Sequence, residues 1–292
     1  MKKGLILAVV TGGAMDSDVL ESALAYARLF DSHVEVLHPR LDPYRVLAGF
    51  IDGLNGLGTS DIVTGIRQDI DRRQHIAHGT FNGWVARHGL RVGADISESA
   101  GPQSGDQPTA SWRLGEGTYE NAMSQYGRLA DLIVVAQPSA AGRSAQDAVV
   151  EAAIFDTGRP VLCIPAGQRA LDLGSIAILW NGSIEAARAI GQTMPILSAG
   201  GNVVVMTGGK CDGVDPRELV ERLVLRGIEA RTRRVNPGEE FSPTALLDAL
   251  NNGHFGLVVM GGYGHTRLRE MVLGALTRHM LAEAKIPVLL AH

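Results

Sequence analysis

"VVMGGYGHTRLREMVLGALTR", residues Val258 to Arg278, sets four glycines between a short apolar run and an amphipathic segment. The run "LVVM" is short and β-branched, as a strand buried on both faces is, and "ALTRHMLAEA" continues as a helix. Glycine weakens the element that holds it, so a cluster at a strand-to-helix junction calls for positive φ or a close backbone approach. The stretch reads as strand, loop and helix of an α/β fold.

The same alternation runs outward from it. Apolar runs "LILAVV" (5–10), "HVEVLH" (33–38), "LIVVAQP" (132–138) and "PVLCIPA" (160–166) are spaced by helical patterns, with "ASWRLGEG" (110–117) a further strand candidate. A second series follows: "SIAILW" (175–180), "NVVVMT" (202–207), "IEARTRRV" (228–235), "GLVVMGG" (256–262) and "IPVLLAH" (286–292). "GRLADLIVVAQP" matches "NGHFGLVVMGGY", and "GRPVLCIPA" matches "KIPVLLAH", both at an offset of about 125 residues, so the chain reads as a tandem duplication. The expected architecture is two five-stranded parallel sheets with helices on both faces, in domains 1–168 and 174–292. The first domain carries an insert at about 41–110, with a long helix near 62–88; the second is compact, with helices near 183–198, 215–226, 242–251 and 275–284.

Bulk composition narrows the function. The chain has 292 residues, 45% hydrophobic and 20% charged, with a formal net charge of -4, which provides no basic field for nucleic acid. Cys163 and Cys211 form neither a disulfide framework nor a zinc spacing, and a reducing cytoplasm fits them. Leu5 to Val10 is too short for the apolar core of a secretory signal and reads as the first core strand; no run approaches a membrane span.

The glycine loop lies at the carboxyl end of a parallel strand, the edge where open α/β sheets bind ligands. Gly261 and Gly264 let backbone N–H groups turn inward, and Gly274, Ala275 and Leu276 offer the free N–H groups of a helix start to an anion such as phosphate. It is neither a GxxxxGK[ST] loop nor a GxGxxG fingerprint, and a plain strand-to-helix turn has the same composition.

"GGYGHTRLREMVLGALT" resembles the G-x2-G-x9-G-(S/T) pattern of ATP-binding members of the universal stress protein family, through Gly261, Gly264 and Gly274. The tandem five-stranded layout, "MGGYGH" and the terminal "IPVLLAH" are also similar to that family, closely in the second half and loosely in the first. The resemblance implies a stress-response sensor or regulator that binds ATP, AMP or ADP, with Mg left open. It places Asn181 where similar proteins carry an Asp for the ribose or base, Leu179 and Thr207 along the adenine pocket, and Gly208 beside it. Ala275 stands in place of the Ser or Thr, so a hydroxyl contact worth about 1.5–3 kcal/mol is missing and Thr277 is its candidate substitute.

The first half departs from the pattern. Pro138 stands near the first-glycine position, Gly142 is alone in its loop, and Asp16 and Asp18 fall beyond the place of the Asp, so a degenerate first site is expected. His265 is either a phosphate contact or a solvated loop group; Arg267, Arg269 and Arg278 either neutralise phosphate or pair with Glu270. His75 and His78 sit at i, i+3 with no third ligand, and Ser183 suits an N-cap. The expected function is an adenine-nucleotide-binding regulator; the alternatives are a slow ATPase or nucleotidyl transferase, or a nucleotide-free scaffold. The last strands are expected to mediate a homodimer, or a pseudo-dimer inside one monomer.

Overall fold

The computed structural model describes residues 4–48, 59–93, 108–138, 144–208, 213–235, 242–262 and 275–292. In the first half β1 (Gly4–Val9), β2 (Ser32–Leu41), β3 (Arg91–Val92), β4 (Thr109–Gly117), β5 (Leu132–Ala136) and β6 (Val161–Ile164) run parallel in the order β3-β4-β2-β1-β5-β6. In the second, β7 (Ser175–Leu179), β8 (Asn202–Thr207), β9 (Ala230–Arg234), β10 (Leu257–Gly261) and β11 (Val288–Ala291) run parallel in the order β11-β10-β7-β8-β9.

The expected pair of five-stranded sheets is one sheet of 11 strands among the described residues. The last strands of the two halves pair antiparallel, with Leu162 opposite Leu289, so each covers an edge the other would leave open. The extra strand is β3, a two-residue piece of the insert paired to β4.

Helices cover both faces. On one lie α1 (Asp16–Leu29), α3 (Thr59–His88), α6 (Ile184–Gln192), α7 (Met194–Ala199) and α8 (Pro216–Leu225), packed through Leu20, Leu24, Trp84, Ala189, Leu197 and Leu223. On the other lie α4 (Tyr119–Tyr126), α5 (Ala145–Thr157), α9 (Pro243–Asn251) and α10 (Ala275–Glu283), packed through Met123, Val150, Ile154, Leu247 and Met280. A six-residue helix, α2 (Pro43–Ala48), precedes α3. The helix expected over 183–198 breaks at Thr193, because Pro195 lacks the N–H that would continue the ladder. Ser183 is the N-cap of α6, its hydroxyl accepting from the Ala186 N–H at 3.2 Å.

The duplication is visible in the register. Val10 N–H donates to Leu37 O just as Trp180 N–H donates to Met206 O, and Gln137 N–H to Ile164 O as Gly262 N–H to Ala291 O. Thr11 therefore stands at the place of Asn181, His38 at that of Thr207, and Gln137 at that of Gly262.

The segment that joins the halves is tied to α1. Buried Asp18 accepts from the Gly167 N–H at 2.8 Å and from Arg169 Nε at 2.6 Å, and Ser22 Oγ donates to Gln168 O. Removing the carboxylate strands a backbone donor, so Asp18→Ala is expected to lower unfolding free energy by about 1–3 kcal/mol, whereas Arg169→Ala on the exposed side changes it little. Urea unfolding of both variants measures the difference.

Candidate functional site

In each half the chain winds outward from its first strand and returns on the other side of it. The strand order reverses between β7 and β10 in the second half and between β1 and β5 in the first. The carboxyl ends of each pair border a crevice, the place where such sheets bind ligands.

At the second crevice, β7 delivers Asn181 and β10 delivers Gly261. Asn181 is exposed, and its Oδ1 accepts from the Ser183 N–H at 3.1 Å. Gly182 turns the chain at φ 82°, and Trp180 beneath it donates Nε1 to Val214 O at 3.0 Å. Gly261 has a packing reason of its own. A Cβ there would lie 2.5 Å from the Ala186 N atom, so α6 approaches the end of β10 backbone to backbone.

The other expected residues divide. Leu179 is buried among the residues beneath α9 and α10, whereas alternation along β8 sends Thr207 to the opposite face of the sheet. Their side chains do not form one wall. Gly208 follows β8 at the same edge. Ala275 opens α10, Leu276 packs into the core, and Thr277 is buried at 5% exposure. Gly264, His265 and Gly274 lie outside the described residues, as do Arg267, Arg269 and Glu270. Among the described residues no group of three or more His, Cys, Asp or Glu is placed to hold a metal. Buried Cys163 is a core thiol whose pKa burial pushes far up, which makes it unreactive.

The first crevice is differently filled. Asp16 is 3% exposed and turns back on its own loop, accepting from Thr11 N–H at 3.0 Å and Gly12 N–H at 2.8 Å. Its carboxylate thus takes up the backbone N–H groups at the turn where the second half carries Asn181. Gly12, at φ 76°, faces α3 so closely that a Cβ would lie 2.4 Å from Arg73 O. His38, at the place of Thr207, donates Nδ1–H to Val10 O at 2.9 Å, and burial holds its pKa below the usual imidazole value. The inserted helix and an internal carboxylate thus close this crevice. Sequence reading placed Asp16 beyond the site; only the backward turn of the loop brings it there.

Comparison with solved structures follows the same plan. The chain matches a universal stress protein from Archaeoglobus fulgidus DSM 4304 at 14% identity, TM-score 0.64, over 100% of this chain and 99% of that one. A second match, a putative universal stress protein from Pseudomonas aeruginosa UCBPP-PA14, has 13% identity and TM-score 0.56 over 98% of this chain and 92% of that one. The chain has the universal stress protein fold. No family model and no curated protein matches its sequence. The two halves differ in the insert that carries α2, α3 and β3 and in how each crevice is bordered. No helix among the described residues is long and apolar enough to cross a membrane.

Two measurements check these assignments. Gly261→Ala is expected to cost about 1–3 kcal/mol of stability through overpacking against α6, whether or not any ligand is added. Burial raises the Asp16 pKa above its ordinary value against the opposing backbone hydrogen bonds. A raised acid contributes stability that is present below its unfolded pKa of about 3.9 and is lost as pH rises through the folded value. Relative to Asp16→Asn, the native chain should therefore gain stability as pH falls from neutral, read by chemical denaturation across pH.

Proposed function

We propose that the second half binds an adenine nucleotide, ATP with AMP and ADP as alternatives, at the β7/β10 crevice. Asn181 contacts the ribose or base there, with the strand-end backbone of Leu179, Thr207 and Gly208 alongside. The phosphates meet the N–H groups of Gly261, Gly264, Gly274, Ala275 and Leu276, with His265 as a further contact and Thr277 as the candidate substitute for the missing hydroxyl. One observation carries the reading: two crevices of the same register differ, one filled by Asp16 and the Arg73 backbone, the other bordered by an exposed Asn181 turn. The glycine spacing of the second half and its absence from the first fall on the same side of that contrast.

In this reading the protein is a cytoplasmic regulator of the stress-response type rather than a fast catalyst, and nucleic acid is not its partner. The pairing of β6 with β11 inside the chain supports a monomer with an internal pseudo-dimer over a homodimer. The nucleotide-free scaffold is the second reading. It is favoured by the packing role of Gly261 and by the burial of Thr277, whose side chain is not offered to solvent.

Mass spectrometry of protein purified without added nucleotide, then denatured, should release an adenine nucleotide. Gly264→Val should weaken ATP binding by at least about tenfold, because its side chain blocks backbone approach. Ala275→Ser should strengthen it by about tenfold or more by restoring a hydroxyl contact. Calorimetry with ATP that shows no binding, or no effect of either substitution, favours the scaffold.

A further inference from the structure

The insert that closes the first crevice opens another cleft one strand further out. Helix α3 crosses the face of β2 and β4 without sealing it, leaving about 590 Å³ between its His75 and His78 and the strand residues Arg40, Trp112 and Leu114. That is a volume typical of small-molecule sites. The register puts all three strand residues on one face: Val36 pairs with Trp112 and His38 with Leu114, and Arg40 follows two residues on.

The floor is aromatic and only half-buried. Trp112 has His38 stacked at 6.1 Å, His78 edge-on at 5.0 Å and Phe81 at 5.3 Å between ring centroids, yet it still lines the cleft. Such a cluster holds the indole rigid, which suits it to stacking against a flat ring.

The rim sets a guanidinium beside a carboxylate. Arg40 Nη2 reaches Asp71 at 2.8 Å, but its Nε is buried and has no hydrogen-bond partner among the described residues. A buried donor without an acceptor is uncommon, and it leaves the partly exposed outer end of the guanidinium as the part a ligand in the cleft reaches. Arg73, whose Nε is held by Asp69 at 2.6 Å, does not line the cleft, which leaves Arg40 as the guanidinium that borders it. Asp71, at the same rim, repels a doubly charged group, so a single planar carboxylate suits this guanidinium better than a phosphate does.

We propose that this cleft binds a small aromatic carboxylate, with its ring on Trp112 and Leu114 and its carboxylate on Arg40. The site is separate from the β7/β10 crevice and does not depend on nucleotide binding.

The test titrates the full chain with benzoate, following tryptophan fluorescence and heat. Saturable binding with a fluorescence change is expected, and benzyl alcohol and acetate should each bind at least about tenfold more weakly, since each lacks one half of the recognition. Arg40→Gln should weaken benzoate by about tenfold or more while leaving thermal unfolding nearly unchanged, because the side chain is partly exposed. Trp112→Leu should abolish the fluorescence change, and Gly264→Val should leave benzoate affinity as it is. No saturation by benzoate on the order of 10 mM, or equal affinity in Arg40→Gln, would overturn the proposal. Displacement of benzoate by equimolar inorganic phosphate would overturn the carboxylate assignment. Loss of ATP binding in Gly264→Val with benzoate binding retained separates this site from the nucleotide site.

Discussion

A parallel sheet wound outward from its first strand, and then back past it, leaves two neighbouring strand ends whose following helices depart to opposite faces. The gap between them exposes backbone N–H groups that the ladder cannot satisfy, and something must meet them. Much of the local detail in this protein answers that constraint. In the first half the answer is internal: Asp16 accepts from Thr11 and Gly12, and the backbone of α3 lies across Gly12. In the second half the loop is shorter, and Asn181 and Ser183 complete a local turn with Asn181 exposed.

The insert is what separates the two outcomes. A thirty-residue helix needs an apolar partner, and α3 finds it in β2 and α1 through Ala77, Phe81 and Trp84. Once seated, it brings Arg73 over the crevice and leaves Trp112 partly uncovered beyond it. One packing event thus removes one ligand edge and creates another concave surface. The buried Asp16 carries a cost of desolvation, seen in its raised pKa, and the loop donors offset part of it.

Most of the scaffold was legible in the sequence because strands buried on both faces have no polar alternation, and runs such as "LIVVA" and "LVVM" declare themselves. The duplication was legible for the same reason, since register follows the aligned runs. What escaped reading depends on contacts distant in sequence. Family resemblance, not local pattern, pointed to the last strands as a seam, and nothing local shows that Asp16 would turn back or that Gly261 would meet Ala186 across the sheet edge. The glycine spacing pointed to a phosphate, yet Gly261 has a steric cause as well, and a motif read by residue type does not distinguish the two. Leu179 and Thr207 looked like companions at two strand ends, but the side-chain period of two sends them to opposite faces.

The junction between the halves also limits the architecture. Each unit joins through its last strand, and the two last strands meet antiparallel, one using up the other. A contact of that self-matching kind closes on itself, unlike a head-to-tail contact, which extends into rings or filaments. Among the described residues the outer edges are of another kind: one is the two-residue β3, the other β9 with exposed Arg231, Arg233 and Arg234. With both last strands used on each other, any further unit would have to attach to this sheet through a contact of another kind.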